Sequence, residues 1–259
     1  MITSTSNPKI KHLVQLQKKS RLRSDEKVFI TEGIRMFAEA PSELIREIYV
    51  SETFYQKESE NLPDRGLHIE ILADHVFSHV SDTKTPQGIL CVVGMPQYSL
   101  KDIVKTKEIP QLLVLDNLQD PGNVGTILRT AEGAGVTGVI LSSECVDMFN
   151  PKTIRSTMGA IYRVPFVYVE DLSETLILLK EEGIRTFAAH LEGAVNYEEE
   201  NYRPAAAFLL GNEGNGLRQS IAESADAWIK IPMCGGLESL NVAIAASILM
   251  FEAARQRRM

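Results

Sequence analysis

The sequence predicts two α/β modules in tandem, the second built on a mostly parallel sheet, and three observations carry that prediction. Short apolar runs of strand length alternate with stretches of helical periodicity along the whole chain. The alternation breaks once, over residues 95–110 (MPQYSLKDIVKTKEIP), which begin and end near prolines and hold no strong apolar run. It restarts at Leu112–Leu115, a continuous apolar run of the kind a strand covered on both faces requires. The reading is a smaller N-terminal domain over 1–94, a linker over 95–110 and a larger domain over 111–259.

Residues 7–23 read as a helix with Ile10, Leu13, Val14 and Leu16 on its apolar face. Strands follow at Val28–Thr31, Ile45–Val50, His68–Leu72 and Ile89–Val93, with helices near Ile34–Ala40, Thr53–Glu60 and Asp74–Val80. In the second domain, strands read at 112–115, 136–141, 163–169, 186–191, 206–210 and 227–231. Helices fall at 124–133, 151–161, 172–182, 217–223 and 240–257. Strand–helix alternation of this kind gives a parallel sheet with helices on both faces.

Composition narrows the class. At 44% hydrophobic and 24% charged residues, the chain can bury a core. Cys91, Cys145 and Cys234 stand far apart with no CxxC spacing, which argues against a zinc site or a disulfide framework. The N-terminus lacks the apolar core of a signal peptide, and Val242–Phe251 is too short to span a bilayer. A cytoplasmic protein with no membrane or metal partner is expected. The net charge of −7 is unevenly spread: residues 1–35 hold eight basic against three acidic residues, so the rest of the chain carries −12. The basic arm, with Lys9, Lys11, Lys18, Lys19, Arg21 and Arg23, suits a phosphate-binding surface and equally a solvated helix.

Two glycine-rich segments mislead. Gly133-Ala-Gly135-Val-Thr-Gly138 matches GxGxxG, but it closes a helix and enters a strand, the reverse of a dinucleotide site, and reads as a helix C-cap with a tight turn. Gly211–Gly216 has P-loop glycine spacing, but Leu217 and Arg218 stand where Lys and Ser/Thr are required.

Three loops of the second domain share one design, each following a strand and carrying polar residues into a helix or turn. The first runs from Asp116 through Asn123 to Arg129, the second is Leu210-Gly211-Asn212-Glu213-Gly214-Asn215-Gly216, and the third runs from Ile231 through Met233 and Ser239 to Asn241. Taken singly, Asn123, Ser239 and Asn241 read as helix caps and Arg129 as a surface arginine. Taken together on one sheet, they read as a ligand site at strand C-termini.

Those loops resemble the three motifs of the SpoU/TrmH family of RNA 2′-O-ribose methyltransferases, within the SPOUT superfamily. Asn123 and Arg129 match motif 1, GNEGNGL (211–217) motif 2, and IPM through SLNVAIAASILMFEAARQR (231–257) motif 3. NPKTIRSTMGAIYRVPF (150–166) resembles the segment between motifs 1 and 2 in rRNA-directed members. SNPKIKHLVQL, TEGIRMFAEA and SDTKTPQGIL are similar to the substrate-binding domain ahead of the catalytic domain in those members, a ribosomal-protein-like RNA-binding fold.

The resemblance implies a trefoil-knotted catalytic domain, a topology that connection rules would never suggest. It implies S-adenosylmethionine held by main-chain groups around Leu210, Gly211, Asn212, Gly216, Ile231, Met233 and Leu240. It implies Asn123, Arg129, Glu213, Ser239 and Asn241 as the catalytic set, Arg155 on the RNA side, rRNA as substrate and a homodimer that pairs across the site. Two rivals stand beside it: an RNA-binding module without turnover, and an oxidoreductase resting on the GxGxxG match.

Overall fold

The computed structural model describes residues 1–63, 65–192 and 195–259. In chain order the elements are α1 (Pro8–Lys18), α2 (Ser20–Glu26), β1 (Val28–Glu32), α3 (Ile34–Glu39), β2 (Ile45–Ser51), α4 (Glu52–Glu58), β3 (Ile69–Leu72), α5 (Asp74–Val80) and β4 (Ile89–Gly94). Then come α6 (Leu100–Val104), β5 (Gln111–Leu115), α7 (Pro121–Ala134), β6 (Gly138–Ser142), α8 (Pro151–Thr157), β7 (Phe166–Val169), α9 (Leu172–Glu181) and β8 (Arg185–Ala189). The chain ends with β9 (Val195–Asn196), β10 (Ala206–Leu210), α10 (Gln219–Glu223), β11 (Ala227–Lys230) and α11 (Val242–Arg258). None of the described helices is long and apolar enough to cross a membrane.

The first compact unit joins Met1–Gln97 to Asp147–Tyr162. Its sheet has the order β1-β4-β2-β3, antiparallel except between β2 and β3. Ile10, Leu13 and Leu16 of α1 pack with Val76, Phe77 and Val80 of α5 over Tyr49, Leu90 and Val92. The single helix expected over 7–23 is two helices, broken at Lys19 (φ −112°, ψ 105°). Arg23 caps the break: its Nη1 donates to the carbonyls of Leu16 (2.7 Å) and Gln17 (3.0 Å), which the end of a helix leaves unpaired. Its Nη2 pairs with the Asp147 carboxylate.

The unit is therefore discontinuous in sequence. Thr153 and Ile154 of α8 are buried, the Phe149 ring lies 4.9 Å from that of Phe29, and the Tyr162 hydroxyl donates to the Met36 carbonyl at 3.3 Å.

The second unit holds Tyr98–Val146 and Arg163–Met259. Its seven strands are all parallel, in the order β7-β6-β5-β10-β8-β11-β9. Every residue of β5, β6 and β10 is buried, as their unbroken apolar runs require. Part of the stretch read as a linker belongs to this core: Ser99 and Asp102 form a capping box that starts α6, and its Ile103 and Val104 are buried against Leu112, Ile140 and Leu172. Two of the GxGxxG glycines have structural roles. Gly135 (φ +73°) is the left-handed C-cap of α7, and a Cβ on Gly138 would stand 2.4 Å from Ile103 Cγ2.

The order of strands places the site. β10 follows β8 in the chain but lies between β5 and β8. Since all are parallel, the loops leaving β5, β10, β8 and β11 open on one edge, at the point where the order reverses.

Candidate active site

The first loop leaves β5 at Asp116, which is fully buried, and turns at Asn117 (φ +56°). Asp120, not Asn123, is the N-cap of α7: its side chain accepts from the Asn123 N–H at 2.9 Å, and Pro121 takes the first helical position. The capping role that sequence would assign to Asn123 alone is thus filled three residues earlier, which frees the Asn123 amide.

The second loop is a tight hairpin. Asn212 and Gly216 exchange main-chain hydrogen bonds at 3.0 and 2.9 Å, and the Asn212 side chain accepts from the Gly214 and Asn215 N–H groups at 2.9 and 3.1 Å. A Cβ on Gly211 would stand 2.1 Å from the Gly216 carbonyl carbon, so only glycine fits there. Glu213 sits at the hairpin tip and accepts from the main-chain N–H groups of Asp120 (3.0 Å) and Gln119 (3.1 Å).

The third loop ends at Asn241, whose side-chain oxygen caps α11 by accepting from Ala243 N at 2.9 Å. Its amide nitrogen donates to Asn123 Oδ1 at 3.0 Å, and Asn123 Nδ2 in turn donates to Glu213 Oε1 at 3.1 Å. One chain of hydrogen bonds therefore joins the three loops. Burial pushes the Glu213 carboxyl up, but the N–H groups of Asp120 and Gln119, with the Asn123 amide, outweigh it and hold the group below its usual range.

Beside this chain opens a cavity of about 930 Å³. All seven residues expected around the cofactor line it (Leu210, Gly211, Asn212, Gly216, Ile231, Met233, Leu240), as do Asn123, Glu213, Ser239 and Asn241. Arg129 does not. It is exposed on α7, with no side-chain partner among the described residues. The reading missed a fourth contributor, the loop after β8, which brings His190, Leu191 and Glu192 to the wall; Lys230 and Glu238 were missed as well. That loop reads HLEGA over 190–194, too short a polar and glycine signal to match the design of the other three. Its first residue is a histidine at the strand end, whose ring lies 4.3 Å from the ring of Trp228.

The donor set fits S-adenosylmethionine. Leu210, Ile231, Leu240 and Leu249 offer apolar wall to a purine, and loop backbone offers hydrogen bonds at the strand ends. Glu192, Glu213 and Glu238 against Lys230 favour a ligand bearing positive charge. Among the described residues no group of three His, Cys, Asp or Glu could hold a metal.

Of the residues expected to face RNA, Lys11, Lys18, Lys19 and Arg21 are exposed, and Lys9 is exposed while pairing with Glu70 at 2.9 Å. Arg155 is half-buried and pairs with Asp82. Arg23 corrects the expectation. It is 3% exposed and spends its guanidinium on α1 and Asp147, so a residue that looked like part of a basic arm is a buried cap.

Residues 110–251 match the model of the SpoU rRNA methylase family, and residues 7–91 match an MRM3-like substrate binding domain. The chain belongs to the SpoU methylase family. This SpoU methylase is 34% identical to the 23S rRNA (guanosine(2553)-2′-O)-methyltransferase RlmP of Bacillus subtilis, over 96% of this chain and 97% of that one. Its structure resembles that of an AdoMet-bound rRNA methyltransferase from Sinorhizobium meliloti, with a TM-score of 0.85, 31% identity and coverage of 98% and 97% of the two chains. The A. aeolicus TrmH/SpoU tRNA modifying enzyme matches 61% of this chain and 81% of its own, at 29% identity and a TM-score of 0.54. The oxidoreductase rival falls with these matches, since Gly135 caps a helix and Gly138 packs on Ile103.

Proposed function

We propose that this SpoU methylase transfers a methyl group from S-adenosylmethionine to a ribose 2′-hydroxyl of ribosomal RNA. The observation that carries the reading is the Asn241–Asn123–Glu213 chain at the wall of a cavity lined by the expected cofactor residues. The 2′-O specificity of the Bacillus subtilis relative and the substrate-binding match at 7–91 support the same substrate class.

When bound, S-adenosylmethionine supplies an electrophilic methyl on a sulfonium. Leu210, Gly211, Asn212, Gly216, Ile231, Met233 and Leu240 would hold it, and Glu213, tied to the first loop by three hydrogen bonds, keeps the rim in place. The exposed Arg129 clamps an RNA phosphate and stabilises negative charge developing on the 2′-oxygen. It does so as a cation, because guanidinium does not deprotonate in proteins. Ser239, exposed on the cavity wall, and Asn241 orient the ribose. The first unit selects RNA through Lys9, Lys11, Lys18, Lys19 and Arg21.

A homodimer belongs to the same reading. Arg129 lies outside its own chain's cavity, and α11 exposes Ile244 (51%) and Phe251 (45%). Pairing through that helix covers both and brings the arginine of one protomer to the cavity of the other. The trefoil knot and a cytoplasmic location complete the proposal.

The test is calorimetry with S-adenosylmethionine and its demethylated product, alongside mapping of ribose methylation in total RNA with and without the gene. Cofactor binding and one lost 2′-O-methyl site are expected. A folded protein that gives no heat with either compound overturns the reading.

A further inference from the structure

We propose that Arg218 and Asp116 are positioning residues for this reaction, an ion pair that holds the second loop in the path that delivers Glu213 to Asn123. The inference rests on the function proposed above. Asp116 opens the first loop directly after β5, and Arg218 stands two residues past the second loop, at the N-cap of α10. The Asp116 carboxylate is fully buried and takes three groups of one residue: the Arg218 main-chain N–H (3.1 Å), Nε (2.8 and 3.1 Å) and Nη2 (2.6 Å). The Asp116 N–H donates to the Leu210 carbonyl at 2.8 Å, so the same residue ties the end of β10.

The hairpin between these anchors has little freedom. Gly211 is in contact with the Gly216–Leu217 peptide, and Asn212 Nδ2 donates to the Asn117 carbonyl at 2.8 Å. Fixing both ends against the first loop fixes where the tip lies, and the tip is Glu213. A buried carboxylate is costly unless paired in good geometry, and a planar fork meets that demand where an ammonium does not. This explains why the P-loop-like segment ends in Leu217-Arg218. Leu217 is buried, and Arg218 turns to the protein rather than to a phosphate. The remaining partner of Arg218, Glu144 at 3.3 Å, is half exposed and is not part of the anchor.

The experiment compares R218K, D116N and E144Q for single-turnover methylation, cofactor affinity and thermal midpoint. R218K is expected to slow turnover by about a hundredfold, the scale of a misplaced catalytic geometry, and to weaken cofactor binding by roughly tenfold, the scale of one hydrogen bond lost at the rim. E144Q stays within about twofold on both, as a surface partner should. E213Q is then added to each background. If Arg218 acts through Glu213, E213Q costs little in the R218K protein although it costs much alone. Should D116N not fold, R218K carries the test, assayed below its own midpoint. The proposal is overturned if R218K lowers only the midpoint, or if the R218K and E213Q effects multiply. A wild-type protein without cofactor binding or methylation would instead overturn the proposed function.

Discussion

The Asn241 side-chain amide donates to Asn123 Oδ1 at 3.0 Å, joining residues 118 positions apart in the chain. The same asparagine caps α11 with its oxygen. Its two ends therefore do separable work, one local and one across the site.

N241D tests that separation. Aspartate keeps the capping oxygen and loses the donor, and it sets a carboxylate against the Asn123 oxygen. The thermal midpoint should stay near wild type, while turnover falls by about tenfold or more, the scale of one hydrogen bond lost across the site. N241A should also lose about 1 kcal/mol of stability with the cap. Equal midpoints for the two variants would contradict the split.

Arg129→Lys keeps the charge and loses the fork of donors. Turnover should drop roughly a hundredfold to a thousandfold, with cofactor affinity close to wild type because the second and third loops, which line the cavity, hold the cofactor. Near-normal turnover in a single-turnover assay would remove Arg129 from the reaction.

Gly211→Ala forces a Cβ to within 2.1 Å of backbone. The hairpin must shift, at a cost of about 1–3 kcal/mol, and cofactor affinity should fall with it. Calorimetry and a melting curve on the same sample check both. Wild-type affinity would mean the rim does not depend on this contact.

Glu213 has a folded value held below its ordinary 4.5. A lowered carboxylate stabilises the fold above the unfolded value, and that contribution is lost as pH falls through the folded value. The midpoint of wild type should therefore decline more steeply below pH 4.5 than that of E213Q, with the two curves parallel above it. Curves parallel throughout would exclude Glu213 from the acid limb.

Arg23→Met leaves the Asp147 carboxylate and the carbonyls of Leu16 and Gln17 without their partner. Asp147 is about a third exposed and keeps the Phe149 N–H, so the loss comes mainly from the buried carbonyls and should be about 1–3 kcal/mol, read as a lower denaturation midpoint. A change of RNA affinity without loss of stability would restore Arg23 to the RNA surface.

The sequence alone determined the periodic content of the chain. Unbroken apolar runs at 112–115 and 206–210 dictated buried strands, and polar and glycine patterns at 116–129, 210–216 and 231–241 marked the loops that carry chemistry. These are local properties, written in neighbouring residues. What depends on distant partners came from the tertiary structure. Only the insertion of β10 between β5 and β8 brings the three loops to one edge. Only packing shows that Arg23 is a cap, that residues 147–162 join the first unit, and that α6 belongs to a core rather than a linker. The Asp116–Arg218 pair could not be read from the pattern, because the two residues stand 102 positions apart and nothing local to either names the other. The physical reason is common to all of these: periodicity reports which face is buried, while the identity of a buried charge's partner is settled only when the chain has closed around it.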